Sequence, residues 1–457
     1  MKSTLLFFLV ALIFLLPSAA IHSQTNSTIA DKIIRTSLLE AKGYKWLKEL
    51  CEIGPRLSGS DNSMIAIKWA KAKMETAGFD SVWLQPVMVP HWVRGNTEKG
   101  FISRSNKLVN KHLTVTALGG SVATSPKGIS AEVIEVKSLE EASKLGDKAK
   151  GKIVFYNRPF DNGLVGTFEG YGEAVDQRSD GAIEAAKNGA VAVLVRSIQS
   201  SYDNFPHTGS VRYKDGINRI PAAAISVIDA DFLSQALTKE PSLQVAIQLD
   251  CKTLPDAQSY NVIGELRGTR KPNEIVVVGG HFDSWDKGCG AHDDGAPSIQ
   301  SMEVLDLFRR LNIQPKRTIR CVLFINEENG LKGGIEYGKF AAASKEKHLA
   351  AIESDRGAFT PRGFNVTTDS ATFIKLQNWL PILNKAKIDW IRKGGSGADV
   401  GQIKNAKALF GYIPDDQRYM DVHHSATDVF ETVHPREMQL GTAAMALLVY
   451  LLSEEGL

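Results

Sequence analysis

The chain is poor in cysteine: four in 457 residues, with no spacing that makes a disulfide framework. A small stapled scaffold is thereby excluded, since a chain of this length buries a core without covalent help. It also lacks an excess of charge of one sign, because 54 Lys and Arg against 51 Asp and Glu leave a formal charge of +3. That balance excludes the clustered basic face on which nucleic-acid binding depends. After Leu16 no apolar run approaches the ~20 residues that a spanning helix needs, and internal repeats and low-complexity tracts are missing. Hydrophobic residues at 43% and charged residues at 23% exclude a disordered chain. What is left is a globular protein long enough for two folded units.

At the N-terminus, Lys2 precedes the apolar run Leu5–Leu16 and the small residues Pro17-Ser18-Ala19-Ala20. This is the layout of a secretory signal peptide, residues 1–20, cleaved after Ala20 or Ser23. It predicts a secreted or periplasmic protein with no stable membrane insertion after the leader is removed; an uncleaved anchor is the competing reading. Such a compartment permits disulfides among Cys51, Cys251, Cys289 and Cys321, but none is predicted. Cys321 opens the apolar run Cys321–Ile325, which predicts a buried, reduced thiol.

Between Ile29 and Ala77 apolar residues recur at helical spacing, broken at Gly54-Pro55-Arg56-Leu57-Ser58-Gly59, which predicts two helices joined by a turn. Residues 24–127 form the first part of the main domain. Over 128–254 short β-type runs such as Lys152–Tyr156 alternate with short helices, and an inserted domain is the simplest account. Residues 255–457 alternate strands (near Tyr260–Leu266, Glu274–Gly279, Thr318–Ile325 and Leu349–Glu353) with helices (near Ala296–Leu311 and Leu331–Ala343, then Pro435–Leu452). That alternation predicts an α/β fold, a largely parallel mixed sheet flanked by helices, with active residues at the carboxyl ends of its strands.

The chemistry gathers at those ends. The run Ile275–Val278 leads into Gly279-Gly280-His281-Phe282-Asp283, where an imidazole suits a metal and a nearby carboxylate can orient it. A structural His at a strand end would look the same. Twelve residues beyond His281 comes His292-Asp293-Asp294 before a helix, where helix capping alone accounts for Asp294. After the next strand stand Glu327 and Glu328, adjacent acids against an apolar run, costly unless cations offset their repulsion. One Glu would bind metal and the other act as general base. The following strand delivers Asp355, and the loop before the last helix carries His423-His424. Oxygen and nitrogen donors without thiolates point to catalytic rather than structural zinc, and two metals sharing a carboxylate would make the site hydrolytic. Tyr412 and Tyr419 could donate a hydrogen bond to a developing oxyanion, but they read equally as exposed loop aromatics, and neither is assigned that role.

His281–Asp286 and Gly290–Gly295, with Glu327-Glu328, Glu353-Ser354-Asp355 and His423-His424-Ser425, closely resemble the co-catalytic two-zinc peptidases, a family of carboxypeptidases and secreted leucyl aminopeptidases. Gly54–Gly59, Gly151–Val154 and Pro206-His207-Thr208-Gly209 extend the likeness over nearly the whole mature chain. The resemblance implies two Zn2+ ions bridged by Asp293, with His281 and Asp355 on one and Glu328 and His424 on the other. It implies Glu327 as general base and Asp283 as the acid that orients His281. His424 is preferred to His423 because the family pattern of His, three residues and Asp is met by His424 and Asp428. His292 stands where the family usually has an uncharged residue, and is expected beside the metals without binding them. The segment 128–254 resembles a protease-associated domain, which would either restrict the cleft to short peptides or serve as a passive lid. The implied activity is a zinc-dependent exopeptidase of dipeptides or short peptides, and the implied assembly is a homodimer. A broader aminopeptidase, an amidohydrolase or a non-catalytic binding protein on the same fold are the alternatives.

Overall fold

The computed structural model describes residues 17–457, with side chains from Asn26 onward. The apolar run Leu5–Leu16 of the expected leader lies outside the described residues. Among the described residues no helix is long and apolar enough to cross a membrane.

Eight strands form the sheet that carries the candidate acids, in the order Ser81–Val93, Lys252–Leu266, Arg317–Phe324, Lys271–His281, Lys347–Ser354, Ala408–Pro414, Pro361–Thr367, Trp390–Lys393. The four central strands run parallel, and antiparallel neighbours flank them on both sides. Their near-continuous apolar runs follow from burial on both faces, and every residue of Arg317–Phe324 is buried. Successive side chains point to opposite faces. Val276, Val278, Cys321 and Ile352 pack with the helices Ala296–Arg310 and Pro435–Glu455, while Ile275, Val277, Val322 and Ala351 pack with Tyr337 and Ala341 of the helix Lys332–Ala343. Cys321 is a fully buried free thiol, as expected.

At the N-terminus the structure has three helices where two were expected: Pro17–Glu40, Lys42–Ile53 and Asp61–Thr76. The extra break falls at Ala41, whose φ of 43° is left-handed. Packing overrides the helical pattern here, because the kink seats Gly43 directly on the Glu303 side chain, where a Cβ would collide.

A second eight-stranded sheet is ordered His112–Leu113, Glu98–Arg104, Gln244–Leu249, Ile129–Val136, Ile153–Tyr156, Ala192–Arg196, Ala222–Ile225, Val115–Ala117. It therefore draws in strands from residues 98–117 as well as from the 128–254 segment. The two units meet at Trp285, which lies beyond the strand ending at His281, joins the apolar cluster of the second unit and packs against Gly119, where a Cβ would collide with its ring. Beside it the buried Arg94 holds Asp286 through Nε, 2.9 Å from each carboxylate oxygen, and also pairs with Glu98 at 2.9 Å.

Candidate metal centre

His281 is the last residue of its strand and lies opposite Phe324, so the two neighbouring strands end at one level. Glu327 and Glu328 then follow Phe324 by three and four residues, and Asp355 directly follows the strand ending at Ser354. The parallel register thus delivers an imidazole and three carboxylates to one edge of the sheet. His281 Nδ1 donates to the main-chain carbonyl of Asp283 at 3.0 Å, which turns Nε2 inward, 3.2 Å from Asp293 Oδ1 and 3.5 Å from Asp355 Oδ1.

The orienting atom differs from the one expected. The Asp283 carboxylate stands 3.9 Å from Nδ1, too far to hydrogen-bond, and instead accepts the main-chain N–H of Glu327 at 3.0 Å.

Asp293 faces two ways. Its Oδ1 addresses His281, and its Oδ2 lies 3.4 Å from His424 Nε2, which is also 3.1 Å from Glu328 Oε2. His423 Nε2 reaches only Asp293, at 3.7 Å, and its ring stacks on that of His424 at 3.6 Å. Asp293 is set in place by Asp428, whose carboxylate accepts the main-chain N–H of His292 at 2.7 Å and of Asp293 at 3.0 Å. The Asp293–Asp294 peptide bond is cis. Asp294 does not cap the following helix as its sequence position suggested: it is fully buried, and neither carboxylate oxygen has a hydrogen-bond partner.

His292 packs its ring on Phe359 at 4.4 Å and accepts the N–H of Ala358 on Nδ1 at 3.2 Å. Burial pushes it down to about 4, so the ring is neutral. Tyr412 lies in a strand rather than a loop and is buried, whereas Tyr419 lines the cavity above the acids.

The electrostatics are those of a cluster short of positive charge. Burial, reinforced by Asp355, Asp283 and Asp293, pushes Glu327 up to about 8. Burial with Asp355 and Glu327 raises Glu353 to about 8, and burial with Asp293 raises Glu328 well above its ordinary value. Asp293 is instead held down; burial opposes this, but the His281 hydrogen bond and the neighbouring imidazoles of His424 and His423 prevail. Asp293 Oδ2, Glu328 Oε1 and Asp283 Oδ2 are buried without a hydrogen-bond partner. Buried polar atoms are ordinarily satisfied, so this donor set fits cations. Among the described residues two groups have the geometry of cation sites: His281, Asp293 and Asp355, and Asp293 with His423 and His424.

Residues that the motifs did not single out come from two places. Arg56, fully buried in the Gly54–Gly59 segment, donates Nε to the carbonyl of Phe282 at 2.7 Å and Nη2 to that of Gly290 at 2.9 Å, and Nη1 bonds the Cys289 carbonyl. It ties together the two ends of the loop between His281 and Asp293. From the second unit, Phe168, Tyr171, Arg178 and Ser210 wall the cavity. Ser210 donates to the carbonyl of Glu328 at 2.9 Å, and the N–H of Thr208 to that of His424 at 3.0 Å. The Pro206–Gly209 motif was the signal, and its role is to dock one unit on the loops of the other.

Residues 261–449 match Peptidase family M28. Carboxypeptidase Q of Bos taurus is 35% identical over 432 residues, 93% of this chain and 89% of that protein; the Homo sapiens protein is 35% identical over 416 residues, 90% and 85%. The crystal structure of a Peptidase M28 precursor from Shewanella amazonensis superimposes with a TM-score of 0.88 at 34% identity, covering 94% of this chain and 97% of that one. A zinc aminopeptidase from Bacillus subtilis shares the fold, with a TM-score of 0.62 at 19% identity and coverage of 90% and 94%. On this extent and identity the chain belongs to peptidase family M28 and is a metallopeptidase.

Proposed function

We propose that the chain is a secreted, zinc-dependent exopeptidase that hydrolyses dipeptides and short peptides. The observation that carries this reading is the division of Asp293, one oxygen toward His281 and the other toward His424, with Asp355 and Glu328 closing the two sides. That arrangement suits two zinc ions bridged by Asp293, with His281 and Asp355 completing one set and Glu328 and His424 the other. Nitrogen and oxygen donors without thiolate are the chemistry of catalytic zinc. His424 is chosen over His423 because its Nε2 approaches both Asp293 and Glu328.

When bound, zinc supplies Lewis-acid polarisation of the scissile carbonyl and a water of lowered pKa. Glu327 takes the proton of the attacking water and passes it to the departing amine. Its main chain is pinned by the Asp283 carboxylate, while the carbonyl of Asp283 orients His281, so one residue positions both the base and a ligand. The second unit, read as protease-associated, restricts the cleft. With its four residues in the wall the cavity measures about 270 Å³, at the small end of ligand sites, which run from ~300 Å³ upward. A dipeptide suits that volume better than a folded chain.

Zinc-loaded protein is to be assayed on dipeptides with free, N-acetylated and C-amidated ends. The expected result is rapid turnover of free dipeptides, abolished by a chelator and restored by zinc; no turnover with zinc bound rejects the reading. The blocked substrates report which terminus is gripped.

A further inference from the structure

The wall that the second unit lends to the cavity contains a buried cation with no counter-charge. Arg178 is 8% exposed, and among the described residues it makes no ion pair with a carboxylate. Its Nη2 donates to the Tyr171 hydroxyl at 2.6 Å, its Nη1 lies 3.4 Å from the carbonyl of Thr208 and 3.4 Å from His424 Nδ1, and its Nε has no hydrogen-bond partner. Burying an unpaired guanidinium is costly, so its position calls for a return. Gly209 explains how it is held. At a φ of 124° this residue lays its bare Cα against the guanidinium, where any Cβ would collide.

A tyrosine hydroxyl that accepts from a guanidinium keeps its own proton for donation, and the cation at its oxygen strengthens that donation. The Tyr171 ring stands edge-on to His423 at 5.0 Å and lines the same cavity as His281, Glu327 and Asp355. We propose that Tyr171 is a catalytic donor, its hydroxyl hydrogen-bonding the carbonyl oxygen of the scissile peptide as negative charge gathers there, and that Arg178 is the positioning residue that aims and polarises it. The inference rests on the exopeptidase reading of this site. No bond to Tyr171 is made or broken; the proton stays on the hydroxyl while the hydrogen bond tightens, the action of an oxyanion donor. Arg178 Nη2 is engaged by the Tyr171 hydroxyl at 2.6 Å; were Arg178 instead to capture a substrate carboxylate directly, Arg178→Met would show a loss confined to KM.

The test compares zinc-loaded wild type with Tyr171→Phe and Arg178→Met, using an unblocked dipeptide, a phosphinic dipeptide that mimics the tetrahedral state, and zinc content as the check on the site. Tyr171→Phe is expected to lose ~10²–10³-fold in kcat, with KM and zinc content little changed. Its affinity for the phosphinic analogue should fall in proportion, and Arg178→Met should show a smaller loss of the same kind. Tyr171→Phe within ~3-fold of wild type on both measures overturns the inference, as does a loss confined to KM, which marks ground-state binding instead. If wild type fails to turn over dipeptides, only the exopeptidase reading falls. The phosphinic analogue still decides the role of the hydroxyl, since undiminished affinity in Tyr171→Phe refutes it and a matching loss upholds it.

Discussion

Replacing Arg56 tests whether the metal-bearing loop is held from behind. Its guanidinium is fully buried and bonds three main-chain carbonyls, those of Phe282, Cys289 and Gly290, at the two ends of the segment that joins His281 to Asp293. Arg56→Met removes all three bonds at similar length and leaves the carbonyls of Phe282 and Cys289 without donors, while that of Gly290 keeps the N–H of Gly295 at 2.9 Å. An unsatisfied buried group costs ~1–3 kcal/mol, so the variant should lose ~2–5 kcal/mol, given that such terms add imperfectly. Arg56→Lys keeps the charge but can serve at most part of the fork, and should fall between the two. Since the same bonds set the separation of His281 and Asp293, zinc affinity should drop ~10–100-fold, the usual effect of losing a ligand's support. Urea denaturation measures the first quantity and competition with a fluorescent zinc chelator the second. Arg56→Met with unchanged unfolding midpoint and unchanged zinc affinity would refute the reasoning; lost stability with intact affinity would separate the fold from the site.

Glu327→Gln should lower kcat ~10²–10⁴-fold, the range for a general base, while zinc content measured by atomic emission stays at the wild-type level; loss of metal would instead make Glu327 a ligand. His424→Ala should lose zinc, whereas His423→Ala should retain it, because only His424 approaches both Asp293 and Glu328; equal loss in both would undo the preference. His348 is buried against the Tyr337 hydroxyl at 3.1 Å, and burial pushes its pKa down to about 4. Protonation therefore favours the unfolded chain, so stability is complete above pH ~6.5 and declines toward pH 4, by ~3 kcal/mol at the limit. Denaturation in urea across that range should show His348→Gln with a flatter profile than wild type, and identical slopes would exclude His348 as the cause.

The central sheet was legible because its strands are buried on both faces, so Ile275–Val278 and Cys321–Ile325 read as continuous apolar runs with acids just beyond them. The alternation with helices then placed those acids at one edge. Three things were not legible. The break at Ala41 arises from the close approach of Gly43 to Glu303, a contact 260 positions away that leaves no local mark. Asp294 looked like a cap because acids at helix starts usually are, yet its carboxylate is turned into the interior. Tyr171 and Arg178 lie on the helices Thr167–Ala174 and Asp176–Ser179 of the second unit, far in sequence from the acids they face. No spacing rule links them; tertiary docking brings them in, through Thr208 and Ser210 on the loops of His424 and Glu328 and through Phe168 stacked on Tyr419.

The central claim is that one aspartate holds two ions. Zinc stoichiometry by mass spectrometry of the native protein, with crystallographic anomalous scattering at the zinc edge, tests it on wild type and Asp293→Ala. The account predicts two ions per wild-type chain, ~3.5–4 Å apart, and the loss of both in Asp293→Ala. A single ion in wild type, or one ion retained at full occupancy after Asp293→Ala, would contradict it.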